Sequence, residues 1–261
     1  MYFFYNQSIR SAPMRSSNPA LAGNPFSGFG IASKSSAMTI RGTINKTAIL
    51  LLLVFLPAIW VWKTFFNAGQ NPAAIQTWMM AGLIGGFVLS LVTVFKKEWA
   101  PLSAPLYAIM EGLFLGGISS IFETSYPGIV MQAISLTLAT LLAMLVIYQT
   151  GLVKPTENFK LGVMAATGGI ALVYLVAIVL GFFGINVSFI NGSGLFSILF
   201  SLFVVGIAAL NFIIDFDFIE QGARANVPKY MEWYGAFALM VTLVWLYIEM
   251  LRLLAKLNDR R

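Results

Sequence analysis

The chain has 261 residues, 59% hydrophobic and only 10% charged, with a net charge of +6 and neither cysteine nor histidine. An ordinary soluble domain is about 45–50% apolar and about 25% charged, so the composition argues against a water-soluble enzyme. Disulfides, thiolate ligands and catalytic thiols are excluded outright, and the bases are scattered singly, without the patch a nucleic-acid partner requires.

Residues 1–46 are rich in Ser, Asn, Pro and Gly (SSNPALAGNPFSGFG) and carry Arg10, Arg15, Lys34, Arg41 and Lys46 without one acid. Such a stretch cannot bury enough surface to fold alone and reads as a disordered basic N-terminal tail. It is no signal peptide, because the first long apolar run starts only near Ala48. Seven apolar runs follow, near 47–66, 78–95, 101–122, 129–149, 161–183, 195–214 and 234–251. Each approaches the roughly 17–25 residues a helix needs to cross about 30 Å of hydrocarbon, and none alternates as a barrel strand does. The predicted fold is an all-α polytopic membrane protein with seven transmembrane helices over 47–254, followed by a short basic C-terminal tail at 255–261.

The tail and the loops after the second, fourth and sixth runs hold eleven of the sixteen bases. The positive-inside rule therefore places the N-terminus in the cytoplasm. Seven spans then send Arg252, Lys256, Arg260 and Arg261 to the other side, against that rule, unless the sixth or seventh run is re-entrant. Trp60, Trp62, Trp78, Trp99 and Trp233 fall at predicted helix ends as an interface belt. Small residues recur within helices (Gly82, Gly85 and Gly86; Gly112, Gly116 and Gly117; Gly168 and Gly169). They suit close packing within one bundle or, as a sharper reading, a dimer face; the oligomeric state stays open. No internal repeat supports the inverted-repeat transporter plan.

Four acids fall within or at the end of apolar runs: Glu111 in the third, Asp215 and Asp217 at the end of the sixth, and Glu249 deep in the seventh. A charge at bilayer depth costs at least about 2.5–3.5 kcal/mol, so such residues are functional candidates. At the helical rise, Glu111 lies about 15 Å in, Asp215 about 10 Å and Glu249 about 22–24 Å, all from the N-terminal side. Asp215 and Glu249 thus differ by about 12 Å in depth, which helix tilt must absorb if they are to meet. Two carboxylates that did meet could not both stay ionised and would titrate as a coupled pair. Without histidine, such a pair is the device left for sensing pH. Ionised, Asp215 and Glu249 would form a hard oxygen site suited to calcium, and Asn211, one turn before Asp215, could add a carbonyl ligand. The plainer alternatives are an intrahelical pair between Glu249 and Arg252, an interhelical hydrogen bond for Glu111, and interfacial placement for Asp217 and Glu220. Glu98, Glu123, Glu157, Glu232 and Asp259 read as solvated residues of helix ends and loops.

The missing residues exclude chemistry as well. Serine proteases need a base, normally histidine, and zinc proteases of the HExxH type need two histidines. An opsin-like lysine is absent from the seventh run, and no GxGD aspartyl-protease pattern occurs. No enzymatic function is expected and no cofactor is called for, with calcium considered only as a transported ion.

Three segments carry a resemblance: TIRGTINKTAILLL at the first run, APLYAIMEGLFLGGIS in the third and LYIEMLRLL in the seventh. They resemble the Bax inhibitor family, in its bacterial YccA-like branch, over roughly residues 38–257. The resemblance implies a last helix at the centre of the bundle, wrapped by the other six, and a pH-sensitive calcium leak governed by an aspartate pair on the last two helices. One member falls here on Glu249, a change of residue type, and the other on Asp215 or Asp217, with Asp215 preferred as the deeper. It also implies a multi-pass protein of a bacterial inner (plasma) membrane. Two functions follow as expectations: a cation leak gated by a buried carboxylate pair, or a non-conducting stress or quality-control protein that modulates a membrane protease or another membrane partner through its basic tail.

Overall fold

The computed structural model describes residues 37–185 and 187–260, so most of the predicted basic tail lies outside the described residues. Helices α1 (Ile40–Asn67), α2 (Ala73–Phe95), α3 (Ala100–Ser125), α4 (Ile129–Gln149) and α5 (Glu157–Phe182) are followed by a single turn, α6 (Ser188–Asn191), and then by α7 (Leu195–Arg224) and α8 (Met231–Asn258). Seven of them are long and apolar enough to cross a membrane. Below, the N-terminal face is the one at which α1 begins.

The tail ends earlier than hydropathy suggests. Thr39 is the extended N-cap of α1 and its side chain accepts from the Gly42 N–H at 2.9 Å, so Arg41 and Lys46 lie within the helix. An isolated antiparallel bridge joins Ala37 to Pro228, and the Met38 N–H donates to the Val227 carbonyl at 2.8 Å. The supposed C-terminal tail is likewise helical, since α8 continues to Asn258. The sixth predicted span also gains length, because α7 reaches Arg224 and is about 45 Å long at the helical rise. That exceeds the roughly 30 Å of hydrocarbon, so its acidic last turns run into the polar layer.

α8 is the centre. In its most apolar stretch 56% is buried, against 11% in α5, and it packs on α7, α1, α4 and α3. The bundle does not wrap it on all six sides. α2 packs on α3 and α1, while α5 packs on α7. The glycines explain the first of these arrangements. A Cβ on Gly116 of α3 would stand 2.5 Å from the Ala58 carbonyl oxygen of α1, and one on Gly82 of α2 would stand 2.5 Å from the Met110 carbonyl oxygen of α3. Backbones this close give α1, α2 and α3 the van der Waals contact that replaces a hydrophobic drive in lipid. Gly168 and Gly169 on α5 have no such neighbour. At the opposite face the Tyr126 hydroxyl, between α3 and α4, donates to Asp259 after α8 at 2.5 Å, and sharing its proton with that carboxylate raises the phenol above its ordinary value.

Gly116→Ala should therefore overpack the α1–α3 contact and lower stability by about 1–3 kcal/mol. Gly168→Ala, with open space around it, should be neutral or gain up to about 1 kcal/mol of helix propensity. Thermal unfolding of both variants in detergent checks the contrast.

Candidate functional site along the last helix

At its N-terminal end α8 presents Glu232, which is only 1% exposed. Its Oε1 accepts from the Thr39 N–H at 3.1 Å and the Thr39 hydroxyl at 2.9 Å, and its Oε2 forms an ion pair with Lys46. A Cβ on Gly42 would overlap this carboxylate, so the glycine makes room for it. The Lys46 ammonium also lies 5.5 Å from the Trp233 ring. Glu232 is thus no solvated loop acid: α1 supplies a cap, a cation and a cleft for it.

Asp215 sits about a third of the way in from the N-terminal face, nine residues before the end of α7. The Thr242 hydroxyl of α8 donates to its Oδ2 at 2.6 Å, and no described lysine or arginine lies within ion-pair distance. Thr242 is buried among the apolar residues of α8. Glu249, seven residues later and 1% exposed, lies two turns further along nearly the same face of α8 and has different partners. Its Oε2 accepts from the Tyr174 hydroxyl of α5 at 3.0 Å, and its Oε1 lies 3.4 Å from the Arg252 guanidinium. That guanidinium stands 5.1 Å from the centre of the Tyr174 ring. These groups border a cavity of about 460 Å³ between α5 and α8. One turn on, buried Lys256 donates to the Ser201 hydroxyl at 2.7 Å and more weakly to the Ser197 carbonyl at 3.4 Å, both on α7.

The expected Asp215–Glu249 contact is therefore not made. Asp215 is level with Thr242, and Thr242 and Glu249 are about 10 Å apart along the axis of α8. Antiparallel helices packed along their length keep their register, so tilt does not absorb the offset found in the sequence. Glu111 joins neither acid: its carboxylate lies over Gly86 of α2, where a Cβ would stand 2.9 Å from Oε1, and Tyr107 interacts with it from one turn before. The polar partner of Glu111 is thus on its own helix, and the interhelical hydrogen bond weighed for it is not what the structure shows.

Asn211 turns to α5, not to an ion shared with Asp215. Its amide donates to the Thr167 hydroxyl at 2.9 Å and to the Ile207 carbonyl at 2.8 Å. Asp217 faces α5 as well, pairing with Lys160 at 2.7 Å while Gln221 donates to it at 2.5 Å. Glu220 pairs with Arg224 at 2.5 Å and accepts from the Tyr148 hydroxyl of α4. Among the described residues no group of three or more acidic side chains could hold a metal ion. A resident calcium site built from Asp215 and Glu249 together is not what the geometry offers; single carboxylates spaced along α8 are.

These contacts also explain α5, whose apolar stretch is scarcely buried. Three polar contacts attach it to its neighbours: Lys160 to Asp217, Thr167 to Asn211, and Tyr174 to Glu249. The model of the family described as Bax inhibitor 1 like matches residues 16–259. The chain belongs to the Bax inhibitor 1 like family. No curated protein and no solved structure matches it. In this family member, sequence reading overlooked Thr39, Lys46, Tyr174, Thr242 and Glu232. Thr242 and Tyr174 had a visible signal, each being a hydroxyl inside an apolar run.

Removing one partner of a buried ion pair costs about 3–5 kcal/mol because the other charge is left bare. Lys46→Met should destabilise the protein by an amount of that order, and adding Glu232→Gln should recover part of the loss. Denaturation of the single and double variants measures both effects.

Proposed function

We propose that this membrane protein is a passive, proton-regulated cation leak, with calcium the candidate ion. The observation that carries the proposal is the Asp215 carboxylate, placed within the bundle on a neutral hydroxyl with no described lysine or arginine opposite it. An acid kept at bilayer depth without a structural counter-ion suits a permeating one. Asp215 and Glu249 then act in series, meeting the ion one after the other, instead of as a touching pair.

The latch in this reading is α5. Glu249 holds it through Tyr174, and Asp217 holds it through Lys160. Protonating Glu249 removes the charge from its contact with Tyr174 and loosens that end of α5 from α8, while Asp215 in its ionised form is what attracts the cation. Such a mechanism needs no histidine. A second reading has one observation in its favour: Ala37 and Met38 are fastened to the α7–α8 connection. Ala37 and Met38 are therefore held at one fixed place on the N-terminal face, where a membrane protease or other partner could meet the chain. A non-conducting quality-control role would work through that tail.

Calcium flux into liposomes across a pH series distinguishes the two. Wild-type flux should vary with pH, Asp215→Asn should carry little flux at any pH, and Glu249→Gln should leak with a flattened pH response. Tyr174→Phe removes an interhelical hydrogen bond, worth about 0.6–2 kcal/mol in a membrane, and should raise the basal leak about threefold to thirtyfold. Deleting residues 1–36 should leave the leak intact. Identical, pH-independent flux in all of these proteins contradicts conduction, and loss of a co-purifying partner on tail deletion favours the second reading.

A further inference from the structure

A cavity of about 460 Å³ lies between α1 and α4, floored by α3 and α8, away from the carboxylates assigned to the leak. Leu51, Val54 and Trp62 form one wall and Val130 and Ile134 the other. Its lips are exposed apolar residues, among them Phe55, Ile59, Met131 and Leu138. In a membrane-spanning bundle such a groove opens sideways into hydrocarbon. From Leu51 to Trp62 it follows α1 for about 16 Å, the shape of a chain and not of a ring system.

Two polar features mark it as more than a gap filled by bulk lipid tails. Thr137 is 5% exposed, lines the cavity, and its hydroxyl has no hydrogen-bond partner. A buried hydroxyl without a partner costs about 1–3 kcal/mol, and Thr137 lies about 12 Å into α4 from the opposite face. That is below the level of the ester oxygens of an intact lipid anchored at the interface. On the floor, Ser119 and Tyr247 are hydrogen-bonded to each other at 2.7 Å. Among the described residues no lysine or arginine lines the cavity and the one charged group is Glu123, which is occupied in accepting from the Gly128 and Val130 N–H groups at 2.7 and 3.1 Å. The occupant must therefore be a chain that carries an acceptor oxygen and no negative charge.

We propose that this groove binds a long-chain fatty acid in its neutral form. The hydrocarbon lies along the α1 and α4 walls, the carbonyl oxygen accepts from the Thr137 hydroxyl, and the acid O–H has the oxygens of Ser119 and Tyr247 on the cavity floor. Ionised fatty acid is disfavoured there, because Glu123 repels it and no base neutralises it.

The full chain in phosphatidylcholine vesicles tests this with two probes bearing the same photoreactive diazirine chain, one a free fatty acid and the other a phosphatidylcholine. The fatty acid probe should label residues 51–62 and 130–138 saturably, with oleic acid competing. Ile134→Trp, which fills the groove, should lower that labelling at least about fivefold. Thr137→Val keeps the shape and removes the donor, and should weaken oleic acid competition about threefold to tenfold. The phosphatidylcholine probe should label the lipid-facing surfaces of all helices without saturating. Equal labelling of α2 and α5 by the fatty acid probe overturns the proposal. So does groove labelling that is identical for both probes and unchanged in Thr137→Val.

Discussion

A carboxylate cannot be left alone in hydrocarbon, and the bundle is organised by how α8 meets that constraint. Glu232 at one end of α8 is matched by Thr39 and Lys46 of the α1 start, which fixes the first helix against the last. Near the other end Glu249 is matched by Tyr174 and Arg252, and Lys256 by Ser201, which fixes α5 and α7 there. Between these ends α8 packs mainly through apolar side chains, with the Thr242–Asp215 and Tyr247–Ser119 hydrogen bonds and the Lys97 ammonium over the Tyr234 ring among its polar contacts. The central position of α8 thus follows from its charges finding partners on three different helices, as well as from its apolar faces.

The two halves of the bundle are held by different forces. α1, α2 and α3 pack backbone to backbone over glycines, and such contacts do not respond to protons. α5 buries little and hangs on α7 and α8 by polar contacts, two of which involve carboxylates. Interhelical hydrogen bonds in membranes are worth only about 0.6–2 kcal/mol each. A helix held by a few of them can shift when they are titrated, while the glycine-packed half stays in place. The lateral groove between α1 and α4 belongs to a third region, so an occupant there need not interfere with the carboxylates.

Much of this was legible because hydropathy is a local property. The seven runs became the seven long helices, and the fourth coincides with α4 at both ends. The resemblance correctly placed the last helix at the centre. What stayed hidden depends on distant partners. Glu232 looked solvated because Lys46 is 186 positions away. Lys46 made the start of α1 look like tail for the same reason: a hydropathy sum counts a charge but not its counter-ion. The Asp215–Glu249 contact failed on register, since the depth offset was already present in the spacing and the structure keeps it. Asn211 was assigned to the face of Asp215 by its one-turn spacing, yet its amide reaches across to Thr167.

Central to this account is that Asp215 and Glu249 are separate carboxylates in series. Infrared difference spectroscopy of the full protein across a pH titration reads their protonation directly through the carboxylic C=O stretch. With Asp215→Asn and Glu249→Gln used to assign the bands, each substitution should remove one band and leave the pH midpoint of the other unchanged. A shift in the remaining midpoint when either acid is removed would show a coupled pair and contradict the account.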